Sequence, residues 1–370
     1  MRILMVFGTR PEAVKMCPLA LEFMKNKSLF DVKICLTGQH NEMLSQVMSA
    51  FNLEADYNLN VMTSCQTLTS ITTSILERIN PILVEVSPDL VLVHGDTTTA
   101  LATALACFYE KIPVGHVEAG LRTYDVYSPF PEEMNRQLID QISFCHFAPT
   151  ELNKNNLLKQ GIDKNVFVTG NTVIDAFEYT VAENYHFENE PLAKLDFSKK
   201  KVILVTAHRR ENLGKPLSDI CNAIKCLAQE FKNFEFVYPV HLNPLVSKTA
   251  HSILSDIENV KLISPISVID MHNLISRCYL VLTDSGGLQE EAPHFGKPVL
   301  VLRNETERPE AVKAGTVKVV GTDIKEIVGN TRNLILSKEC YQKMSKECNH
   351  YGDGFASKRI VSIIRNLKFI

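Results

Sequence analysis

Three acidic residues, Asp96, Glu118 and Glu132, follow closely on apolar runs or a proline-rich turn, and their types suit proton transfer. Asp96 lies in His94-Gly95-Asp96-Thr97-Thr98-Thr99-Ala100, directly after Leu90–Val93. It reads either as the N-cap of the next helix, the commonest fate of such a residue, or as a working carboxylate. Glu118 opens Glu118-Ala119-Gly120-Leu121-Arg122 after Val114–Val117. No helix follows at once for it to cap, and a carboxylate at the end of a buried strand is costly unless paired. Glu132 sits in Pro129-Phe130-Pro131-Glu132-Glu133-Met134-Asn135-Arg136. Three acids converging on one sheet edge would repel one another and raise at least one pKa. A carboxyl tuned in that way can exchange protons at carbon near neutral pH.

A second set of residues suits an anion. The run Leu280–Thr283 leads into Asp284-Ser285-Gly286-Gly287 and then a helical stretch. Gly286 and Gly287 let backbone N–H groups approach an anion closely, and a helix start adds unpaired donors. Ser285 can cap that helix or donate to a phosphate, and Glu291, about one turn in, is placed for ribose hydroxyls. The bland alternative is a capped helix after a tight turn, and the neighbouring segments tip the balance toward a ligand grip. Arg303-Asn304-Glu305-Thr306-Glu307-Arg308-Pro309-Glu310 is either solvated loop or ligand grip. Arg308 there could hold phosphate through paired hydrogen bonds. Gly8-Thr9-Arg10-Pro11-Glu12-Ala13-Val14-Lys15 offers Arg10 and Lys15 as diphosphate cations, or reads as a turn with exposed charges. In Ala207-His208-Arg209-Arg210-Glu211-Asn212, His208 beside two arginines suits phosphate contact or proton transfer, against the reading of a surface histidine. His241 lies in a further strand exit, Tyr238–Pro244.

The elements that must position these residues are short β-branched runs, each followed by a helical stretch. One series is Ile3–Phe7, Val32–Leu36, Leu90–Val93, Val114–Val117 and Val166–Thr169. The other is Val202–Thr206, Phe234–Tyr238, Val260–Ile263, Tyr279–Thr283, Val299–Leu302 and Val317–Val320. Continuous apolar runs of this length predict parallel strands buried on both faces, joined by right-handed crossovers. A charged stretch, Glu178–Lys200, separates the series. The expected organisation is α/β, with two Rossmann-like doubly wound domains. They are placed at residues 1–170 and 171–355, with a helix at about 356–370 packing back on the first. Ligands in such sheets bind beyond the carboxyl ends of the strands, so the site is expected in the cleft between the domains.

Bulk properties exclude several classes. The chain has 370 residues, 45% of them apolar and 22% charged, and a net charge of −3. No basic run interleaved with aromatics occurs, so nucleic acid is not an expected partner. Met1–Gly8 reads as a strand, not a signal peptide, and no apolar run approaches the ~20 residues that span a bilayer. A cytoplasmic protein without membrane attachment is expected. Ten cysteines are scattered with no C-x-x-C pair, so neither a metal site nor a disulfide framework is expected. H-E-x-x-H, G-x-G-x-x-G and P-loop patterns are missing, as is a G-x-S-x-G elbow.

Seven motifs in order resemble those of the non-hydrolysing UDP-N-acetylglucosamine 2-epimerase family. They are Gly8–Glu12, His94–Thr98, His116–Arg122, Pro131–Arg136, Ala207–Asn212, Asp284–Gly287 with Gln289–Pro293, and Glu307–Ala311. The resemblance runs from about Arg2 to Gly321. It implies two Rossmann-like domains facing a cleft, as in GT-B glycosyltransferases, and interconversion of UDP-N-acetylglucosamine and UDP-N-acetylmannosamine. UDP would leave as the C2 proton is lost, giving a 2-acetamidoglucal, and would add back after reprotonation on the other face. No cofactor is implied. The alternative is a hydrolysing relative that releases N-acetylmannosamine and UDP. By resemblance Asp96, Glu118, Glu132 and His208 are catalytic. Arg10, Lys15, His208, Ser285, Gly286, Gly287 and Arg308 would hold the diphosphate, Glu291 the ribose, and Met271 would face the uracil where an aromatic is common. Gln39, His40, Arg209 and His241 match a second nucleotide-sugar site used for activation, although Cys65 stands where an arginine is expected. A homodimer supplying cell-surface polysaccharide synthesis is implied by the family alone.

Overall fold

The computed structural model describes residues 1–38, 41–62, 67–347 and 349–368; Gln39, His40 and Cys65 lie outside them. The β-branched runs form strands, and the chain opens β1 (Arg2–Phe7), α1 (Arg10–Met24), β2 (Asp31–Leu36), α2 (Asn41–Ala50) and β3 (Tyr57–Asn58). It continues through α3 (Leu68–Val86), β4 (Leu90–His94), α4 (Thr98–Tyr109), β5 (Val114–Val117) and α5 (Glu132–Ile142). Then come β6 (Cys145–Ala148), α6 (Glu151–Lys159), β7 (Val166–Val168) and two short helices, α7 (Thr172–Asp175) and α8 (Phe177–Thr180). These seven strands form one parallel sheet in the order β3-β2-β1-β4-β5-β6-β7.

After α9 (Glu190–Ala193) a second sheet is built from β8 (Lys201–Thr206), α10 (Lys215–Glu230), β9 (Phe234–Pro239), α11 (Pro244–Leu254), β10 (Val260–Ile263) and α12 (Val268–Arg277). It is completed by β11 (Leu280–Thr283), α13 (Gly286–His294), β12 (Val299–Val301), α14 (Pro309–Ala314) and β13 (Val317–Val319). The helices α15 (Ile324–Leu336), α16 (Lys338–Met344) and α17 (Ala356–Asn366) follow. All six strands are parallel, in the order β10-β9-β8-β11-β12-β13.

The apolar runs show no alternation because both faces are covered: Ile3 through Phe7 and Leu90 through Val93 are wholly buried. In the first core Leu4, Val6, Val91 and Val93 meet Ile71, Ile75, Ile79 and Leu83, a four-residue stripe on α3. Ala100, Ala104 and Cys107 keep α4 thin enough to pack between α3 and α5. In the second, Ile203, Val205, Leu280 and Leu282 meet Leu217, Ile220, Ile224 and Leu227 of α10. The sequence reading did not single out β3, which has two residues, or β6, Cys-His-Phe-Ala, which has no β-branched residue.

The chain divides into two compact units, Met1–Tyr179 with Tyr351–Ile370, and Thr180–His350. Residues 171–179 stay with the first unit because the Asp175 carboxylate accepts the backbone N–H groups of Ala356 (3.2 Å) and Ser357 (2.6 Å). That contact starts α17, which packs on α1 and α7. In each sheet the strand order reverses once, beside β1 and β4 in the first and beside β8 and β11 in the second. Such reversals open a crevice at the carboxyl ends of the strands, and the candidate residues lie there. Among the described residues no helix is long and apolar enough to cross a membrane.

Candidate active site

At the exit of β1 the backbone N–H groups of Gly8 (3.1 Å) and Thr9 (2.8 Å) donate to Glu12 Oε2. Thr97 Oγ1 donates to Glu12 Oε1 at 2.8 Å. Glu12 is the third residue of α1, reaching back over the helix start as in a capping box. It also ties the β1 exit to the β4 exit, and burial pushes its carboxyl upward. Arg10 and Pro11 open α1 and Lys15 lies a turn further on.

Lys15 donates to the carboxylate of Glu118. Asn171 Nδ2 donates to the same oxygen at 2.8 Å, and His94 Nε2 lies 3.6 Å from it, beyond hydrogen-bond length. Glu118 has φ +66°, a left-handed conformation that costs a non-glycine residue about 1–3 kcal/mol. The N–H groups of Glu118 and Ala119 both donate to Phe147 O on β6 at 3.1 Å, which holds the backbone there.

Asp96 does not cap α4. Thr97 takes that position, its hydroxyl accepting from Ala100 N at 3.0 Å. Asp96 Oδ2 instead accepts from Arg136 Nη2 of α5 at 2.6 Å, and its backbone carbonyl accepts from Asn135 Nδ2 at 2.9 Å. Its side chain stays 26% exposed, enough for a ligand to reach it. Glu132 is the first residue of α5 and is half-buried. Repulsion among the three acids is therefore offset by cations, Arg136 at Asp96 and Lys15 at Glu118. Glu12, at the same sheet edge, is raised by its burial.

In the second unit Asp284 is fully buried. Its Oδ2 accepts from the backbone N–H of His208 (2.8 Å), that of Arg209 (2.8 Å) and Asn212 Nδ2 (3.0 Å). Asp284 thus stitches the β8 exit to the β11 exit. Ser285 holds the N-cap position of α13, but its hydroxyl makes no capping bond. Gly286 and Gly287 are the first two residues of that helix. A Cβ on Gly286 would lie 2.6 Å from Arg308 Nη1 and 2.8 Å from its Cζ, so this glycine makes room for a guanidinium. Arg308 donates through Nε to Glu290 and through Nη1 to Glu307 at 2.8 Å. Glu307 also accepts from Arg303 Nη1 at 3.0 Å. Burial alone would raise Glu307, but the two guanidinium groups outweigh it and hold its carboxyl at about 2.

His208 is pushed down, chiefly by burial, and its ring stacks on His241 with centroids 5.2 Å apart. Glu291, on α13, has His272 Nε2 at 3.7 Å. Met271, next to His272 on α12, is half-buried. Of the second-site residues, Arg209 and His241 are described; Gln39 and His40 are not. Among the described residues no three His, Cys, Asp or Glu side chains gather as a metal site.

The first unit thus assembles carboxylates backed by cations, a set that can exchange protons. The second assembles a helix start, an uncommitted capping hydroxyl and a clamped guanidinium, a set that can hold a diphosphate. Sequence reasoning gave no role to Glu12, Arg136, Asn171, Asp284 or Glu290. The Thr-x-x-Glu spacing of Thr9 and Glu12 signals the first, and the four-residue step from Glu132 to Arg136 puts the second on the face of α5 that opens at Glu132.

Comparison with known proteins identifies the family. The sequence profile of the family described as UDP-N-acetylglucosamine 2-epimerase matches residues 22–365. The UDP-N-acetylglucosamine 2-epimerase of Escherichia coli is 50% identical over 372 residues, 99% of each chain. That of Bacillus subtilis is 51% identical over 362 residues, 98% of this chain and 94% of the relative. The crystal structure of UDP-GlcNAc 2-epimerase from Neisseria meningitidis bound to UDP-GlcNAc superposes with a TM-score of 0.93 at 50% identity, covering 98% of this chain and 99% of that one. The fold is accordingly α/β, two Rossmann-like sheets of the GT-B-like kind. The chain belongs to the UDP-N-acetylglucosamine 2-epimerase family, whose members are isomerases.

Proposed function

We propose that this protein interconverts UDP-N-acetylglucosamine and UDP-N-acetylmannosamine without hydrolysis. The observation that carries the reading is Glu118, held in a costly backbone conformation with Lys15 and Asn171 on its carboxylate, at the same sheet edge as Asp96. Strain of that kind persists only where the surrounding structure over-determines it, and it clusters at functional sites. The Neisseria relative, bound to UDP-GlcNAc, supports the ligand.

The C2 proton is removed by a carboxylate of the first unit. Its electron pair forms the C1–C2 double bond, the C1–O bond breaks, and UDP leaves as the anion. Reprotonation on the other face of C2 and return of UDP to C1 complete the inversion. The oxidation level is unchanged, so the step calls for no redox partner. The C2 hydrogen is weakly acidic, and stabilising the departing diphosphate is the main electrostatic task. Arg10, Lys15, Ser285, Gly286, Gly287 and Arg308 are assigned to it, with Glu291 on the ribose and Met271 at the uracil. Asp96, Glu118 and Glu132 are assigned proton transfer, and His208 acts beside the phosphate. Lys15 suits a double duty, since an incoming diphosphate offers it a second anion beside Glu118. His241, stacked on His208, gives a second nucleotide sugar near Arg209 a way to act on the site.

The test is incubation with UDP-N-acetylglucosamine in deuterated water. Deuterium at C2 of both epimers, with the diphosphate bond to sugar intact, is the expected result. Conversion without deuterium would sink the proton-transfer mechanism. Accumulation of N-acetylmannosamine and UDP would move the protein to the hydrolysing class.

A further inference from the structure

His116, Asp140 and Arg122 form a buried polar cluster that no step of the proposed chemistry uses. They are 0%, 1% and 6% exposed, so no substrate reaches them. His116 Nδ1 lies 2.6 Å from Asp140 Oδ1, and its Nε2 lies 2.7 Å from the backbone carbonyl of Gly95. Both partners accept hydrogen bonds, so the ring donates from both nitrogens, which requires both ring protons. Arg122 Nη2 donates to the other Asp140 oxygen at 2.6 Å, and Arg122 Nη1 to Leu121 O at 2.6 Å. Guanidinium and imidazole together hold the Asp140 carboxyl below its ordinary range against the opposing effect of burial. His146 Nε2 donates to the Asp140 backbone carbonyl at 2.8 Å and closes the cluster from β6.

Burying such a set is a poor way to gain stability, because desolvation offsets most of the attraction. Its contacts end on the candidate active site instead. Gly95 immediately precedes Asp96. Its N–H donates to Val117 O at 2.9 Å and its carbonyl is taken by His116, so both backbone polar groups of this residue are fixed by β5. Gly95 has φ +62°, a turn that a glycine makes at little cost and could leave as easily. On α5, Glu132, Arg136 and Asp140 recur every four residues and therefore share one helix face. That face meets the Asp96 carboxylate through Arg136 and His116 through Asp140.

We propose that the His116–Asp140 pair is a positioning device that fixes the Gly95 carbonyl and so sets where the Asp96 carboxylate stands relative to α5. The inference rests on the reading of Asp96 as a proton-transfer group. His116 and Asp140 are positioning residues; neither touches substrate. In Asp140→Asn the side chain keeps its shape but loses its charge. The ring then loses the charge-assisted bond that holds it against the Gly95 carbonyl.

The experiment measures turnover, UDP affinity and thermal midpoint for Asp140→Asn, His116→Gln, Asp96→Asn and Ile75→Ala, the last a core cavity on α3. Asp140→Asn and His116→Gln are expected to lower kcat by about tenfold to hundredfold, the range for a misplaced reacting group. UDP affinity should stay within about twofold, and Ile75→Ala should leave kcat within about twofold despite its lower midpoint. An inactive Asp96→Asn beside fully active Asp140→Asn and His116→Gln would overturn the positioning role and leave the Asp96 reading intact. An active Asp96→Asn would overturn the Asp96 reading itself. Nitrogen-detected NMR of the histidine-labelled wild-type protein needs no variant to fold. It should reveal an imidazole with two solvent-protected ring protons, and finding none among the eleven histidines would overturn the proposal.

Discussion

Lys15 on α1 donates to Glu118 at the end of β5, so the cation nearest the first unit's strained carboxylate is committed to it across 103 residues of sequence. Both side chains are 9% exposed. Removing one member of such a pair leaves a buried charge uncompensated. Lys15→Met should therefore destabilise the protein by about 3 kcal/mol, measured by urea unfolding. Adding Glu118→Gln should recover most of that loss while turnover stays absent. A double variant no more stable than Lys15→Met alone would refute the pairing argument.

The carboxylates differ from the clamp residues in what their loss should do. Asp96→Asn, Glu118→Gln and Glu132→Gln should each lower turnover by roughly a hundredfold to ten-thousandfold, the span of general acid–base catalysis. UDP binding, measured by calorimetry, should persist in all three. Retained activity in every variant would end the acid–base assignment.

At the start of α13 the two substitutions to compare are Ser285→Ala and Gly286→Ala. Loss of a capping hydroxyl ordinarily costs about 1 kcal/mol, but Ser285 makes no capping bond. Ser285→Ala should leave the thermal midpoint unchanged and weaken UDP binding. Gly286→Ala drives a methyl against a guanidinium that Glu290 and Glu307 hold from the other side. It should weaken UDP binding by about tenfold or more through the displaced charge-assisted contacts.

Glu307 makes a prediction about acid. Its carboxyl sits at about 2 in the folded protein against an ordinary 4.5. A depressed carboxyl contributes stability that is complete above the unfolded value and is lost as pH falls through the folded one. The second unit should therefore lose stability between pH 4.5 and about 2, on the order of 3 kcal/mol from this group. Denaturant midpoints across that window should change less with pH in Glu307→Gln.

His208 is held down chiefly by burial. A diphosphate beside it would favour the charged ring, so its pKa should rise on binding. UDP binding should then take up a proton and strengthen as pH falls through the range between the two values. Calorimetry in buffers of differing ionisation enthalpy should detect the uptake, and His208→Gln should abolish it.

The sheets were legible because strands buried on both faces leave uninterrupted runs such as Ile3–Phe7. The sites were legible because a parallel strand delivers its exit residues to one edge, and Asp96, Glu118, His208 and Ser285 all lie at such exits. β6 escaped because Cys145-His146-Phe147-Ala148 carries no β-branched residue and is a strand through its neighbours. Between the two readings of Asp96, cap or working carboxylate, spacing could not choose; the cap position goes to Thr97, one residue on, whose hydroxyl accepts from Ala100 N. Partnerships such as Lys15 with Glu118, or Gly286 with Arg308, depend on strand order and register, which residue spacing does not encode.

The return of α17 to α1 has a consequence for synthesis. The helix α1 buries part of its surface against α17, which the ribosome makes only after the whole second unit. The second unit is one uninterrupted stretch and can close as soon as it emerges. The first is left with an unsealed flank until α17 is released. A nascent chain stalled before Ala356 would expose apolar surface of α1, making this seam the place where a chaperone has something to hold.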